Sequence, residues 1–173
     1  MRHSAIYAGT FDPLTLGHVD LVERASRIFD RVIVAVVARS RKTTMFAEAE
    51  RVEMARSELV GFRNVEVEAF DGLLVEYARI RKIHVLLRGI RAFSDFEYEF
   101  QMALTNRTLA PEIETVFLMP QESFSYISSS TVREILDHGG DASPFVPEAV
   151  RAYLARNARA PGAPAAAPPE LSR

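Results

Sequence analysis

Short apolar runs and stretches of helical periodicity alternate along this chain up to about position 157. Ser4 to Ala8 and Arg31 to Ala38 read as strands buried on both faces, the second a near-continuous run of Val, Ile and Ala. Asn64 to Phe70 alternates instead, setting Val65, Val67 and Ala69 against Glu66 and Glu68, the pattern of a strand with one wetter face at a sheet edge. Val85 to Arg88 and Thr115 to Met119 bring the set to five. Between the strands, Val19, Val22, Ala25, Ile28 and Phe29 trace one helical stripe, and Val52, Ala55 and Leu59 trace another. Leu73 to Arg81 and Asp95 to Leu109 follow the third and fourth strands. Ser94, with Glu97 three residues on, predicts a capping box at the start of the latter. Ser128 to His138 predicts a helix stopped by Gly139 and Gly140, and Pro147 suits the first turn of a last helix ending near Asn157.

This strict alternation predicts an α/β fold, a doubly wound, Rossmann-like parallel sheet of five strands in the order 3-2-1-4-5. A single domain over residues 1–157 accounts for it, with no internal repeat. Residues 158–173 are rich in Ala and Pro, carry almost no large apolar side chain, and predict a mobile tail. In such a sheet a ligand sits outside the C-terminal strand ends, where the strand order reverses. The loops after strands one and four flank that point. They are Gly9 to His18 and Gly89 to Ser94, the stretches densest in candidate chemistry.

Composition narrows the partner. Hydrophobic residues make up 48% of the chain and charged ones 25%, with 21 Lys plus Arg against 23 Asp plus Glu and a net charge of -2. A surface built for a nucleic-acid backbone would be basic, so no nucleic-acid partner is expected, although a local basic pocket for a small phosphate ligand fits. The chain has no cysteine, which removes thiolate catalysis, disulfides and Cys-based zinc sites together. No apolar run approaches the roughly 20 residues that span a bilayer, and the N-terminal residues show no signal-peptide pattern. A cytoplasmic protein without a membrane partner is the expectation.

Neither G-x-x-x-x-G-K-[ST] nor G-x-G-x-x-G occurs, so any phosphates must be held another way. Gly9 would let the backbone approach a ligand closely, and Pro13 stiffens the turn. Thr15-Leu-Gly-His18 then opens the first helix and sets His18 near its positive dipole end. Near the other end of the chain, Ile127-Ser-Ser-Ser-Thr-Val-Arg133 opens the helix after strand five, where small hydroxyl residues and free amides suit phosphate oxygens.

The string Gly9-Thr-Phe-Asp-Pro-x-x-x-Gly-His18 resembles the first signature of the (His/Thr)-x-Gly-His nucleotidylyltransferase superfamily, and Ile127 to Arg133 resembles the second. Leu87-Arg-Gly-Ile-Arg-Ala-Phe-Ser-Asp-Phe-Glu-Tyr-Glu99, with Met102, Asn106, Lys42-x-x-Met-Phe46, Gly72-Leu-Leu74 and Val116 to Met119, is similar to the bacterial-type phosphopantetheine adenylyltransferase family. The similarity covers roughly residues 4 to 157. It implies reversible transfer of an adenylyl group from ATP to 4'-phosphopantetheine, giving dephospho-coenzyme A and pyrophosphate. It also implies Mg²⁺ shielding the triphosphate, coenzyme A as a feedback inhibitor, and a homo-oligomer, a hexamer by analogy.

Carried residue by residue, the resemblance puts Thr10, Lys42, Leu74 and Arg88 on the pantetheine substrate, with Asn106 and Glu134 lining the same pocket. ATP would meet Thr10, Phe11, His18, Gly89, Ile90, Arg91, Glu99 and the run Phe124, Ser125, Tyr126, Ile127, Ser128, Ser129 and Ser130. His18, Lys42 and Arg91 would stabilise the transition state, and no protein metal cage is implied. The chain departs from the family in Arg39-Ser-Arg-Lys42-Thr-Thr, where an Asn-Pro-x-Lys-x-Pro type of loop is usual, so Arg39 or Arg41 can share the role of Lys42.

Each assignment has a plainer counterpart. His18 alone would be a helix-start surface residue, and Ser128 to Ser130 could do no more than cap a helix. Arg88 or Arg91 could pair with Asp95, Glu97 or Glu99 rather than with a ligand. Asp12 suits an Asx-type turn before Pro13 better than a metal site, Tyr98, Phe100 and Met102 suit packing, and His3, His84 and His138 have no constellation. Two other functions share the signals: nicotinamide or nicotinate mononucleotide adenylyl transfer, and a non-catalytic nucleotide-binding module on the same fold. The Arg88 to Glu99 string counts against the first, and the intact His18 and Lys42 against the second.

Overall fold

The computed structural model describes residues 3–39 and 43–156. Five strands, β1 (Ser4–Gly9), β2 (Arg31–Val37), β3 (Val65–Phe70), β4 (Val85–Gly89) and β5 (Glu114–Leu118), form one parallel sheet in the order β3-β2-β1-β4-β5, as expected. Six helices, α1 (Leu16–Ile28), α2 (Glu48–Leu59), α3 (Leu74–Arg81), α4 (Phe93–Leu109), α5 (Ser129–Asp137) and α6 (Glu148–Arg156), link or follow the strands. Short 3-10 turns at Glu122–Phe124 and Ser143–Phe145 add to the elements that the pattern predicts. The tail expected at residues 158–173 lies outside the described residues, as do Arg41 and Lys42.

Period-two alternation sorts the strands onto two cores. Ala5 and Tyr7 of β1, with Val32, Val34 and Val36 of β2, face α1, α2, α5 and α6. Ile6, Ala8, Ile33 and Ala35 face the other way, toward Val75 and Ala78 of α3 and the Ala110–Ile113 turn after α4. β3 is an edge, and its glutamates are spent there. Arg31 donates to Glu66 at 2.8 and 2.6 Å, and the Tyr77 hydroxyl donates to Glu68 at 2.8 Å.

Two expected details differ. Helix α4 starts at Phe93 with Ala92 at its N-cap, so Ser94 lies inside the helix and not at its cap. Asp95 occupies the first turn instead, where its charge suits the helix dipole. Pro147 precedes α6, its carbonyl accepting from the Val150 and Arg151 amides.

The loops at the C-terminal sheet edge are tied by two buried charges. Arg51 of α2 is 1% exposed and donates to four carbonyls: Thr10 (2.7 Å), Val37 (2.8 Å), Ala38 (3.3 Å) and Phe46 (3.1 Å). Asp12 accepts from the Met45 and Phe46 amides at 2.9 Å each, and Arg133 of α5 reaches its backbone carbonyl at 2.7 Å and its carboxylate at 3.3 Å. In the turn before Pro13 the Asp12 carboxylate is thus spent on long-range partners, and it anchors the segment leading into α2.

Replacing Arg51 with Met is expected to destabilise the fold by at least about 2 kcal/mol, because four carbonyls lose a buried donor. Arg51→Lys should recover little, since one ammonium cannot span the four acceptors. Urea midpoints with unchanged m-values measure both; a wild-type midpoint in Arg51→Met would refute the role.

Candidate active site

A cavity of about 400 Å³ opens at the C-terminal ends of β1 and β4, where the strand order reverses. Thr10, Phe11, His18, Arg88, Gly89 and Arg91 line it, joined by Glu99 of α4 and by Ile127 to Ser130 at the start of α5. The two distant signatures thus meet across one space, and the Ser129 hydroxyl donates to the Pro13 carbonyl at 2.9 Å to hold them together.

His18 is the third residue of α1. Its Nδ1 accepts from the Thr15 backbone amide at 3.0 Å, with the Thr15 hydroxyl also at 3.0 Å. An accepting Nδ1 leaves the ring proton on Nε2, so the side chain is a neutral donor. Burial, then the facing Arg91 and Arg88, pull its pKa down to about 3. The Phe11 ring packs edge-on against it at 5.1 Å.

The backbone prepares this placement at two glycines. A Cβ on Gly89 would lie 2.3 Å from Leu21 Cδ1, so the bare glycine lets α1 press against the end of β4. A Cβ on Gly9 would lie 2.9 Å from the Phe11 ring. The bare glycine therefore lets Phe11, whose own φ is 49°, fold over the end of β1, where Gly9 itself lines the cavity.

Arg88 and Arg91 are both already paired, where one ion pair at most was anticipated. Arg88 grips Glu99 through two bonds of 2.7 and 2.6 Å and donates to the Ala8 carbonyl at 2.6 Å. Burial alone would lower its pKa, but the bond and charge of Glu99 outweigh that and raise it. Arg91 meets Asp95 at 2.9 and 3.2 Å and the Ile127 carbonyl at 3.1 Å. These pairs fix the guanidiniums on the cavity wall.

The α5 hydroxyls are partly committed as well. Ser128 caps the helix by accepting from the Thr131 amide at 3.0 Å, Ser129 bonds Pro13, and Ser130 accepts from Arg133 at 3.2 Å. What the first turn of α5 still offers an anion is the backbone amides of Ser129 and Ser130, which have no partner within the helix.

Other expected residues lie apart from the cavity wall. Leu74 packs on the second core, Asn106 is buried in α4, and Glu134 is exposed on α5. Ile90, Phe124, Ser125 and Tyr126 do not line the cavity, although the Phe124 carbonyl would lie 3.4 Å from a Cβ on Gly17. Lys42 lies outside the described residues, while Arg39 pairs with Asp71 at 3.3 Å. Sequence reasoning placed Thr15 and Arg133 within the two signatures without giving either a role, and it missed Arg51 and the role of Asp95. The usable signals were the spacing of Thr15, three residues ahead of His18, and the place of Arg133 at the end of the second signature. Among the described residues no cluster of three or more His, Asp or Glu could hold a metal ion, and no helix is long and apolar enough to cross a membrane.

Donor groups from two helix starts and two fixed arginines, converging where a parallel sheet reverses, define a nucleotidyltransferase-type α/β site. The Cytidylyltransferase-like family profile matches residues 6–135. A crystal structure from Vibrio parahaemolyticus, provisionally assigned as a nicotinate-nucleotide adenylyltransferase, shares the fold with a TM-score of 0.68 at 20% identity, over 90% of this chain and 93% of that one. Phosphopantetheine adenylyltransferases are far more similar in sequence. That of Methylococcus capsulatus is 58% identical over 156 residues, 90% of this chain and 96% of its own length. That of Nitrosomonas eutropha is 57% identical over 141 residues, 82% and 86% of the two chains. The chain belongs to the phosphopantetheine adenylyltransferase family.

The His18 ring should hold its Nε2–H tautomer from about pH 8 down to about pH 5, seen as constant imidazole nitrogen shifts in NMR. The folded pKa lies below the ordinary 6.5, so between about pH 6.5 and 3 the unfolded chain binds a proton that the folded chain refuses. This residue's contribution to stability therefore falls as the pH drops through that window. A His18 titration near pH 6.5 in the folded protein would refute the assignment.

Proposed function

We propose that this chain transfers the adenylyl group of ATP to 4'-phosphopantetheine, releasing pyrophosphate and forming dephospho-coenzyme A. The observation that carries the mechanism is the neutral His18 donor facing the same cavity as the fixed Arg88 and Arg91. Membership of the family supports the choice of acceptor.

An oxygen of the acceptor phosphate attacks the α-phosphorus of ATP. A new P–O bond forms as the bond from the α-phosphorus to the bridging oxygen breaks, and the electron pair leaves with pyrophosphate. The attacking group is already an anion, so the protein needs no activated serine or strong base. It supplies alignment and positive partial charge. Arg88 and Lys42 hold the acceptor phosphate, with Leu74, Asn106 and Glu134 along the pantetheine arm. His18 donates from Nε2–H to an α-phosphate oxygen as charge builds there. Arg91 and the amides of Ser129 and Ser130 take the leaving pyrophosphate. Thr10 and Phe11 shape the floor between the substrates.

The carboxylates nearest the cavity, Asp12, Asp95 and Glu99, are engaged by arginines or amides. Mg²⁺ would therefore be held by substrate oxygens and water and not by these carboxylates, and bound there it would supply charge neutralisation for the leaving pyrophosphate. Coenzyme A, which contains the product, competes at the same cavity as a feedback inhibitor. The enzyme works in the cytoplasm as a homo-oligomer, a hexamer by family resemblance. Helix α4 supports self-association, because Phe93, Phe96 and Phe100 stack in an exposed row, with Phe93 92% exposed.

Three outcomes are expected. Pyrophosphate release with a panel of acceptors should be fastest with phosphopantetheine and nil with pantetheine, which lacks the attacking oxygen; faster turnover of nicotinamide mononucleotide would remove the acceptor assignment. His18→Ala should keep ATP affinity within a few-fold and lose on the order of 100-fold in kcat. Light scattering at micromolar concentration should report an assembly larger than a monomer.

A further inference from the structure

Tyr7 stands on β1 opposite Leu87 of β4, shortly before the strand ends at Gly9. Its ring packs edge-on against Phe11 at 5.4 Å and lies 6.4 Å from the His18 ring. The residue is 5% exposed, yet it borders the cavity. Buried tyrosine hydroxyls normally find a hydrogen-bond partner. Those of Tyr77 and Tyr153 do, donating to Glu68 and Glu50. The Tyr7 hydroxyl has no such partner among the described residues. It is also not a fully enclosed unpaired atom, so its open side is the cavity.

The charged groups acting on this hydroxyl are Arg88, Arg91 and Glu99, with Arg88 the stronger of the two cations. A ligand atom that suits both guanidiniums and a phenolic O–H is an anionic oxygen. We propose that the Tyr7 hydroxyl is a substrate-binding group, donating a hydrogen bond to the acceptor's phosphate beside Arg88. The proposal rests on the adenylyl-transfer reading and adds a residue that it does not use. Burial pushes the Tyr7 pKa up against the pull of both arginines, so the phenol keeps its proton and serves as a donor. Its ring is held by Phe11 and the sheet, so the donor is aimed before substrate arrives.

Tyr7→Phe deletes the hydroxyl and keeps the ring. Calorimetry should show the Kd for 4'-phosphopantetheine rising roughly tenfold, as for a lost hydrogen bond to a charged group. The Kd for ATP should stay within about twofold, and the melting temperature should not move. An unchanged phosphopantetheine Kd overturns the proposal. So does a loss confined to ATP, which would put the hydroxyl on the nucleotide, or an equal loss for both ligands with a lowered melting temperature, which would make it structural. If the wild-type protein neither binds phosphopantetheine nor releases pyrophosphate with it, the functional reading itself fails, an outcome the variant comparison keeps separate.

Discussion

A parallel sheet that binds ligand at its strand ends must leave the backbone there irregular, and irregular buried backbone needs partners. In this protein two opposite charges answer that need. The Arg51 guanidinium gathers carbonyls from the ends of β1 and β2 and from the approach to α2. The Asp12 carboxylate gathers amides from that same approach and is itself met by Arg133. Segments as far as 121 positions apart are held by side chains whose hydrogen bonds go to the protein itself. The cavity keeps its shape because the groups behind it are satisfied.

The same logic governs the cavity wall. Arg88 and Arg91 are long and flexible, yet each is tied to a carboxylate on α4 and to a backbone carbonyl. A paired guanidinium gives up part of its charge to its partner and gains a fixed direction. For His18 the Thr15 amide has this role, deciding which ring nitrogen carries the proton. Orientation is supplied by neighbours that sequence motifs do not mark as functional.

That division explains what could be read in advance. Strands buried on both faces announce themselves as unbroken Val, Ile and Ala, and Glu66 and Glu68 betrayed the edge, so the sheet order was legible. The meeting of His18, Arg88, Arg91 and Ser128 to Ser130 was legible too, because each sits where a strand ends or a helix begins. Arg51 was not, since a single arginine on a charged helix looks like solvent-facing charge until the helix is docked. Nor was the joint pairing of Arg88 with Glu99 and Arg91 with Asp95, because the turn of α4 that aligns both carboxylates depends on where the helix starts. That start, at Phe93, comes before the residue that its capping signal marked.

The contact between Gly89 and Leu21 also bears on how this chain can change over generations. A side chain at position 89 would have to push the Leu21 side chain aside, because a Cβ there would lie 2.3 Å from Leu21 Cδ1. Leu21 is itself buried and has little room to turn aside. A lineage therefore gains a side chain on the strand at least cost after the helix has shed one. The easier order of those two steps is set by geometry, one helical turn from His18.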